Sequence, residues 1–295
     1  MKILVTGING RLGTAIARIA AHRGHEIVGV SRSGWPGDEP LPPSVTTHQF
    51  DTANMDAMKE LMTGCQAFIH TSGLHSAHLK THSPGDFYDI NVTQVGRLLH
   101  AAHAVGLGRI CLSSTLQVQC GFTQRASGSM ILEETMPSRA DTPYSISKRT
   151  MEVLGEEMAR AFGLSIISLR LGAFGYLEDA ALGTGLLNLA ISSEDAARAT
   201  LLAVEKSGFA GEALLIAPSV PFTQADVLEG LQSPETVVER HFPGAVEILK
   251  KEGLALAPSS FYSVCSIRRA RTLLDWAPSF TFTDWLRLKG WQPPA

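Results

Sequence analysis

The sequence predicts a doubly wound α/β protein, a parallel sheet with helices on both faces, carrying a small mixed α/β lobe towards its C-terminal end. Three observations lead there. Short β-branched runs alternate with helical patterns as far as about residue 217, a glycine-spaced loop joins the first run to the first helical pattern, and the alternation then gives way to segments punctuated by Pro234, Pro243, Pro258 and Pro278. Alternation is what a parallel sheet needs, because each strand is reached from the last by a crossover that a helix fills.

Taken in order, residues 3–5 read as the first strand and 12–20 as the first helix. Residues 26–30 read as the second strand, 48–50 as a third strand-like segment and 67–70 as the fourth strand. A helix over 92–104 leads to a fifth strand at 109–113, a helix over 149–161 leads to a sixth at 165–169, and 213–216 closes the set. Met151, Leu154 and Met158 recur at helical spacing, which makes them core residues on one helix face. Gly24, Gly106 and Gly163 follow three of the helices, where a left-handed cap favours glycine. The chain divides into a larger domain of residues 1–170, to which about 191–217 also contribute, and a small lobe of 218–295 with 171–190. Neither an internal repeat nor a low-complexity linker interrupts it.

Composition narrows the function. In 295 residues, 25 Lys and Arg stand against 28 Asp and Glu, giving a net charge of -3 with the signs interspersed. No basic stripe is present to neutralise a phosphate backbone, so nucleic acid is not an expected partner. Met1-Lys2 runs directly into Ile3-Leu4-Val5, too short for a signal-peptide core, and no later stretch would span a bilayer. The expectation is a cytoplasmic protein with no membrane partner. Cys65, Cys111, Cys120 and Cys265 show no paired spacing, so neither a disulfide nor a zinc site is expected. Oligomeric state is left open, a homodimer included.

The loop Thr6-Gly7-Ile8-Asn9-Gly10-Arg11-Leu12-Gly13 follows the first strand and opens the first helix. Its three glycines permit a tight turn, close approach of backbone to a pyrophosphate and close packing of helix on strand, while the helix N-terminus supplies unpaired N–H groups. This is the Rossmann-like arrangement for a dinucleotide, with Asn9, Arg11 and Leu12 among the loop residues against it. The second strand ends in Ser31-Arg32-Ser33 with no carboxylate to accept from ribose hydroxyls. Ser31 and Arg32 suit a 2′-phosphate instead, which favours NADP over NAD; a solvated surface arginine is the alternative. Asp51 suits the adenine amino group, and a loop-capping aspartate would look the same.

Tyr144-Ser145-Ile146-Ser147-Lys148 sets a phenol and an ammonium one helical turn apart on one face. A tyrosine of ordinary pKa, about 10, is a poor base at neutral pH, and a neighbouring cation stabilises its phenolate. Lys148 suits that task while its other donors hold a nicotinamide ribose. Upstream, Ser113-Ser114-Thr115 brings a hydroxyl that could share a substrate oxygen with Tyr144.

With these residues in place the sequence resembles the extended short-chain dehydrogenase/reductase family, the NAD-dependent epimerase/dehydratase group, over essentially its whole length. The resemblance implies an NAD(P)-binding larger domain and a substrate-binding lobe, with Gly7, Gly10 and Gly13 at the pyrophosphate, Asp51 at the adenine and Thr71, Ser72 and Gly73, after His70, in a cofactor-facing loop. It implies Asn91 as the asparagine that orders the active site and Thr115, Tyr144 and Lys148 as the catalytic trio. Arg170-Leu171-Gly172, residues 194–199 and Leu274-Asp275-Trp276-Ala277-Pro278 match further landmarks. The usual Val-Tyr-Gly is here Val118-Gln119-Cys120-Gly121, so the substrate side of that loop differs.

Among the reactions of that family, water elimination uses Asp-Glu directly after the catalytic threonine. Here Leu116 and Gln117 stand there, and neither transfers a proton, which argues against a dehydratase. The stretch from Arg170 to Asp195 is short for the family, which points to a substrate without a nucleotide. The expectation is an oxidoreductase moving a hydride to or from a hydroxyl or carbonyl of a small sugar-like or other polar compound, with His75, Thr115, Gln117 and Tyr144 contacting it. A sugar or nucleotide-sugar epimerase with tightly bound NAD is the alternative, and a non-catalytic NADP redox sensor a further one, against which the retained Tyr144 and Lys148 argue. His75, His78 and His82 have near-helical spacing; no carboxylate or thiolate is interleaved, so substrate contact is expected there rather than a metal.

Overall fold

The structure, a computed structural model, describes residues 1–35, 40–121, 130–175 and 179–293, so residues 176–178 and 294–295 of the expected lobe lie outside the described residues. Its framework is a seven-stranded sheet, all parallel, in the order β3-β2-β1-β4-β5-β6-β7. The strands are β1 (Lys2–Thr6), β2 (Glu26–Ser31), β3 (Val45–Gln49), β4 (Ala67–His70), β5 (Arg109–Thr115), β6 (Ser165–Leu171) and β7 (Ala210–Ile216). On one face pack α1 (Arg11–His22) and, later in the chain, α8 (Ser193–Glu205); on the other lie α2 (Met55–Met62), α4 (Gln94–Ala104) and α6 (Pro143–Phe162). Short helices α3 (Pro84–Tyr88), α5 (Gln117–Cys120) and α7 (Asp179–Gly185) complete the connections. Ile3 and Val5 belong to the first core and Leu4 to the second, which is why these strands read as unbroken apolar runs.

Several boundaries differ from those read in the sequence. β3 begins at Val45 and ends at Gln49, leaving Phe50 outside; it is an edge strand in which only Val45 is buried, so pairing with β2 from Ile27 to Ser31 defines it rather than hydrophobicity. β7 starts at Ala210, three residues early, across Gly211 at φ +96° and a register shift at Ile166/Ile167. A Cβ on Gly211 would strike the backbone of Glu156, so glycine here allows α6 to approach the sheet. β5 and β6 each run two residues further, carrying Thr115 and Leu171 to the strand ends. The expected 92–104 helix is a π-helical turn, Asp89–Thr93, leading into α4.

The smaller lobe is built from α9 (Gln224–Gly230), α10 (Pro234–His241), α11 (Ala245–Lys251) and α13 (Phe282–Leu288) around Phe222, Phe261, Phe282 and Trp285. Among the described residues its β content is confined to isolated bridges, Leu132 to Cys265 and Ala173 to Ala190. Pro234 starts α10, where a missing N–H and a fixed φ are tolerated. α12 (Arg268–Leu274), inside the expected lobe, does not join that core: Ala270, Leu274 and Trp276 pack into the sheet core beside α8.

Candidate active site

A cavity of 920 Å³ runs along the C-terminal ends of β1, β2, β4, β5 and β6, within the range of small-molecule sites. Strand order reverses between β1 and β4, and an open parallel sheet leaves a crevice there. Of the expected site residues, Gly7, Asn9, Gly10, Arg11, Leu12, Ser31, Arg32, Asp51, Thr71, Ser72, Gly73, His75, Thr115, Gln117, Tyr144 and Lys148 all line this cavity, and Gly13 and Asn91 do not.

At one end, Gly7 turns at φ +71° and its N–H donates to the Val30 carbonyl at 2.8 Å. A Cβ there would sit 2.7 Å from Thr71 Oγ1, so the loop and the start of the β4 connection touch only because the residue is glycine. Gly10 is the N-cap of α1 and supplies no side-chain acceptor, which leaves the first N–H groups of that helix facing the cavity. Gly13 is buried, and a Cβ would meet the Gly7 carbonyl and the backbone of Ile8; it acts by letting α1 close on the loop. The Asn9 amide donates to the carbonyls of Ser33 and Gly34, tying the loop to the chain after β2, while its Oδ1 is buried and unpartnered. Ser31 Oγ donates to the Ser33 carbonyl at 2.6 Å, and Arg32 is exposed at the lip. Asp51 Oδ1 accepts from Ala53 N at 2.8 Å and from Gln94 Nε2 at 3.3 Å, so the loop-capping contact exists at a residue that also lines the cavity. Gln94 was not picked out by sequence reasoning, although it lies three residues beyond Asn91.

At the other end, Thr142 caps α6 in a capping box with Ser145, and Pro143 occupies the first turn. This pins the helix start one residue before Tyr144 and fixes where its phenol and the Lys148 ammonium emerge. Both are buried, and Tyr144 packs against Phe87 with ring centroids 6.4 Å apart. Lys148 Nζ donates to the Ser113 carbonyl at 2.8 Å. Burial pulls its pKa down to about 8, and the Glu152 carboxylate pushes the other way. His70, fully buried with Nδ1 2.9 Å from Thr6 Oγ1, is driven down to about 3 by burial and then by Lys148, and stays neutral. Ser113 Oγ and Gln117 Oε1 are buried without partners beside the cavity.

Asn91 works at a distance from the cavity wall. Its side chain accepts from Leu74 N at 2.9 Å and donates to Leu74 O and to Ser147 Oγ, both at 3.0 Å, fastening the loop after β4 to α6. Gly73, at φ +145°, makes room for it, since a Cβ would lie 2.6 Å from Asn91 Oδ1. His75 and His78 line the cavity while His82 does not; their rings pack edge to face at 4.2 Å and 5.3 Å along the row, and His78 Nδ1 accepts from His75 N at 3.0 Å. Among the described residues no group of three or more His, Cys, Asp or Glu is arranged to hold a metal, and no helix is long and apolar enough to cross a membrane. All four cysteines are buried thiols.

Comparison with known proteins gives three findings. Residues 3–178 match the model of the NAD dependent epimerase/dehydratase family. A UDP-glucose 4-epimerase of Corynebacterium glutamicum is 25% identical over 181 residues, 59% of this chain and 53% of that one, and a 2-alkyl-3-oxoalkanoate reductase of Stenotrophomonas maltophilia is 29% identical over 52% of this chain and 44% of its own. The chain thus spans about half the length of these relatives. Among solved structures, a UDP-glucuronic acid 4-epimerase from Bacillus cereus, in complex with UDP-glucuronic acid and NAD, superposes with a TM-score of 0.70 at 18% identity, covering 98% of both chains, a likeness of fold.

Proposed function

The chain belongs to the NAD dependent epimerase/dehydratase family, and from that premise we propose an NAD(P)-dependent oxidoreductase that moves a hydride to or from a hydroxyl or carbonyl of a small sugar-like or other polar substrate. One observation carries the reading. A single cavity has the open N-terminus of α1 at one end and Tyr144, Lys148 and Thr115 at the other.

The residues fit a nicotinamide dinucleotide, because the glycine cradle would be filled by any added Cβ and the buried Asn9 Oδ1 lacks a partner. When bound, that cofactor supplies or accepts the hydride. Gly7, Asn9, Gly10, Arg11 and Leu12 would hold its pyrophosphate, Asp51 its adenine and Lys148 its ribose, with Thr71, Ser72 and Gly73 along its side. Lys148, charged at neutral pH, favours the phenolate of Tyr144 one helical turn away. In the reductive direction Tyr144 delivers the proton to the substrate oxygen, and in the oxidative direction it removes it. Thr115 shares that oxygen by a hydrogen bond, Asn91 keeps the Leu74 loop in place, and His75 and Gln117 meet the rest of the substrate. On charge balance we set a small molecule, not nucleic acid, as its partner.

NADP is the preferred form: among the described residues no carboxylate ends β2, and Arg32 stands at the cavity lip. Titration calorimetry with NADPH and NADH tests it. NADPH should bind more tightly, and Arg32→Ala should lose about tenfold for NADPH alone. Equal or tighter NADH binding removes the preference. A panel of sugars, sugar acids and ketones, followed by nicotinamide absorbance, tests the reaction; a nucleotide-sugar outperforming every small compound would overturn the substrate class. The UDP-glucose 4-epimerase relatives favour a second reading, an epimerase with tightly held NAD. Stoichiometric NAD released from the purified protein on denaturation would select it.

A further inference from the structure

One turn beyond Lys148 on α6, Glu152 is 2% exposed, and opposite it on β6 Arg170 is 4% exposed. Glu152 Oε1 accepts from Ser114 Oγ at 2.6 Å and from Arg170 Nε at 2.9 Å; Oε2 accepts from Arg170 Nη2 at 2.8 Å and from Arg149 Nη1 at 3.1 Å. The remaining Arg170 nitrogen donates to Gln119 Oε1, and Gln119 Nε2 donates to the Met136 carbonyl at 3.0 Å. Ser114 lies between Ser113, whose carbonyl receives Lys148, and Thr115; Gln119 lies on α5 two residues after Gln117. The network therefore touches β5, α5 and α6 at the Tyr144 and Lys148 end of the cavity, and none of its three charged members, Arg149, Glu152 and Arg170, lines the cavity itself.

We infer that Glu152 and Arg170 are positioning residues, an ion pair that locks the Ser113–Thr115 strand end and the α5 turn to the Lys148 face of α6 and so sets how Lys148 meets the cofactor. The inference rests on the proposed function. A buried carboxylate and guanidinium of this kind are a poor source of stability compared with apolar residues, and their geometry is what they add. Lys148 is also faced by Tyr144 on α6, the Ser113 carbonyl on β5, the neutral His70 at the end of β4, and His75 beyond it, whose pKa burial lowers. The Ser113 carbonyl accepts from the ammonium, and Glu152 is the charged group that favours it.

The test uses the full chain with NADPH and NADH as probes, binding being followed by nicotinamide fluorescence from pH 6 to 10 alongside thermal melts. In the wild type, affinity should fall as pH rises past about 8, where Lys148 sheds its proton. Glu152→Gln should weaken binding about tenfold at neutral pH and move that fall about one unit lower, because the group favouring the charged amine is gone and Arg170 is left uncompensated. Ser114→Ala, which cuts the tie to β5 at the cavity wall and leaves the ion pair, should fold normally and weaken binding about threefold. Asp195→Ala, at a buried carboxylate that does not line the cavity, should lower the melting temperature with the pH midpoint unmoved. Wild-type affinity and midpoint in folded Glu152→Gln or, where that variant does not fold, wild-type affinity in Ser114→Ala overturns the positioning role alone. A wild type that binds neither nucleotide overturns the proposed function, and this inference with it.

Discussion

Glu152 and Asp195 are both helix carboxylates withdrawn from water, 2% and 0% exposed, and each has an arginine three residues away, yet they are satisfied in opposite ways. Glu152 faces a buried guanidinium. Asp195 instead accepts from Ser279 N at 2.7 Å, Ser279 Oγ at 2.8 Å, Phe280 N at 3.1 Å and Ser192 Oγ at 2.9 Å, and its own carbonyl receives Trp276 Nε1 at 3.0 Å. Its only charged partner among the described residues, Arg198, keeps 28% of its side chain in solvent. A carboxylate bound to backbone N–H groups from a distant segment is a clamp: it fastens the chain after α12 onto α8 and leaves the cavity untouched. A carboxylate bound to a buried cation one helical turn from Lys148 favours the charged form of that lysine, which lines the cavity. Similar burial thus serves architecture at one place and, on the proposed function, chemistry at the other.

The widest separation between the two regions should come from Tyr144→Phe, which keeps the ring packed on Phe87 and removes the proton. On a substrate found in the panel, turnover should fall by about 10²–10⁴-fold while the melting temperature and cofactor affinity stay near wild type. Near wild-type turnover would mean that the cavity's acid/base group has been misassigned. Next in size is Asp195→Ala. Deleting the clamp leaves the N–H groups of Ser279 and Phe280 without acceptors, so denaturant unfolding should show a loss of about 3–5 kcal/mol, with turnover per folded molecule unchanged. A fall in turnover matching that of Tyr144→Phe would erase the distinction between clamp and cavity. The smallest effect is expected from Ser279→Ala, which removes one hydroxyl donor and keeps the backbone N–H on the same carboxylate. It should lower stability by about 1 kcal/mol, and a loss as large as that of Asp195→Ala would show that the hydroxyl, rather than the backbone, holds the clamp.

Features set by neighbouring residues were readable in the sequence itself. The spacing of Gly7, Gly10 and Gly13 after an apolar run, Tyr144 and Lys148 at one helical turn, and Gly163 closing α6 at φ +67° all express local backbone geometry, which needs no partner from elsewhere in the chain. The parallel sheet followed from the same logic, since strands buried on both faces declare themselves as apolar runs. Other features depend on what the chain meets after folding. The polar edge strand β3 exists through its pairing with β2, and the start of β7 depends on a glycine that lets Glu156 come near. α12 falls within the expected small lobe because its seven residues carry no mark of the sheet core they join. Glu152 meets Arg170 across 18 residues, Asn91 meets Ser147 across 56, and Asp195 meets Ser279 across 84. Hydrogen bonds and ion pairs at such separations leave no periodic trace in a sequence, because their partners are chosen by strand order and helix packing; only the tertiary structure decides them.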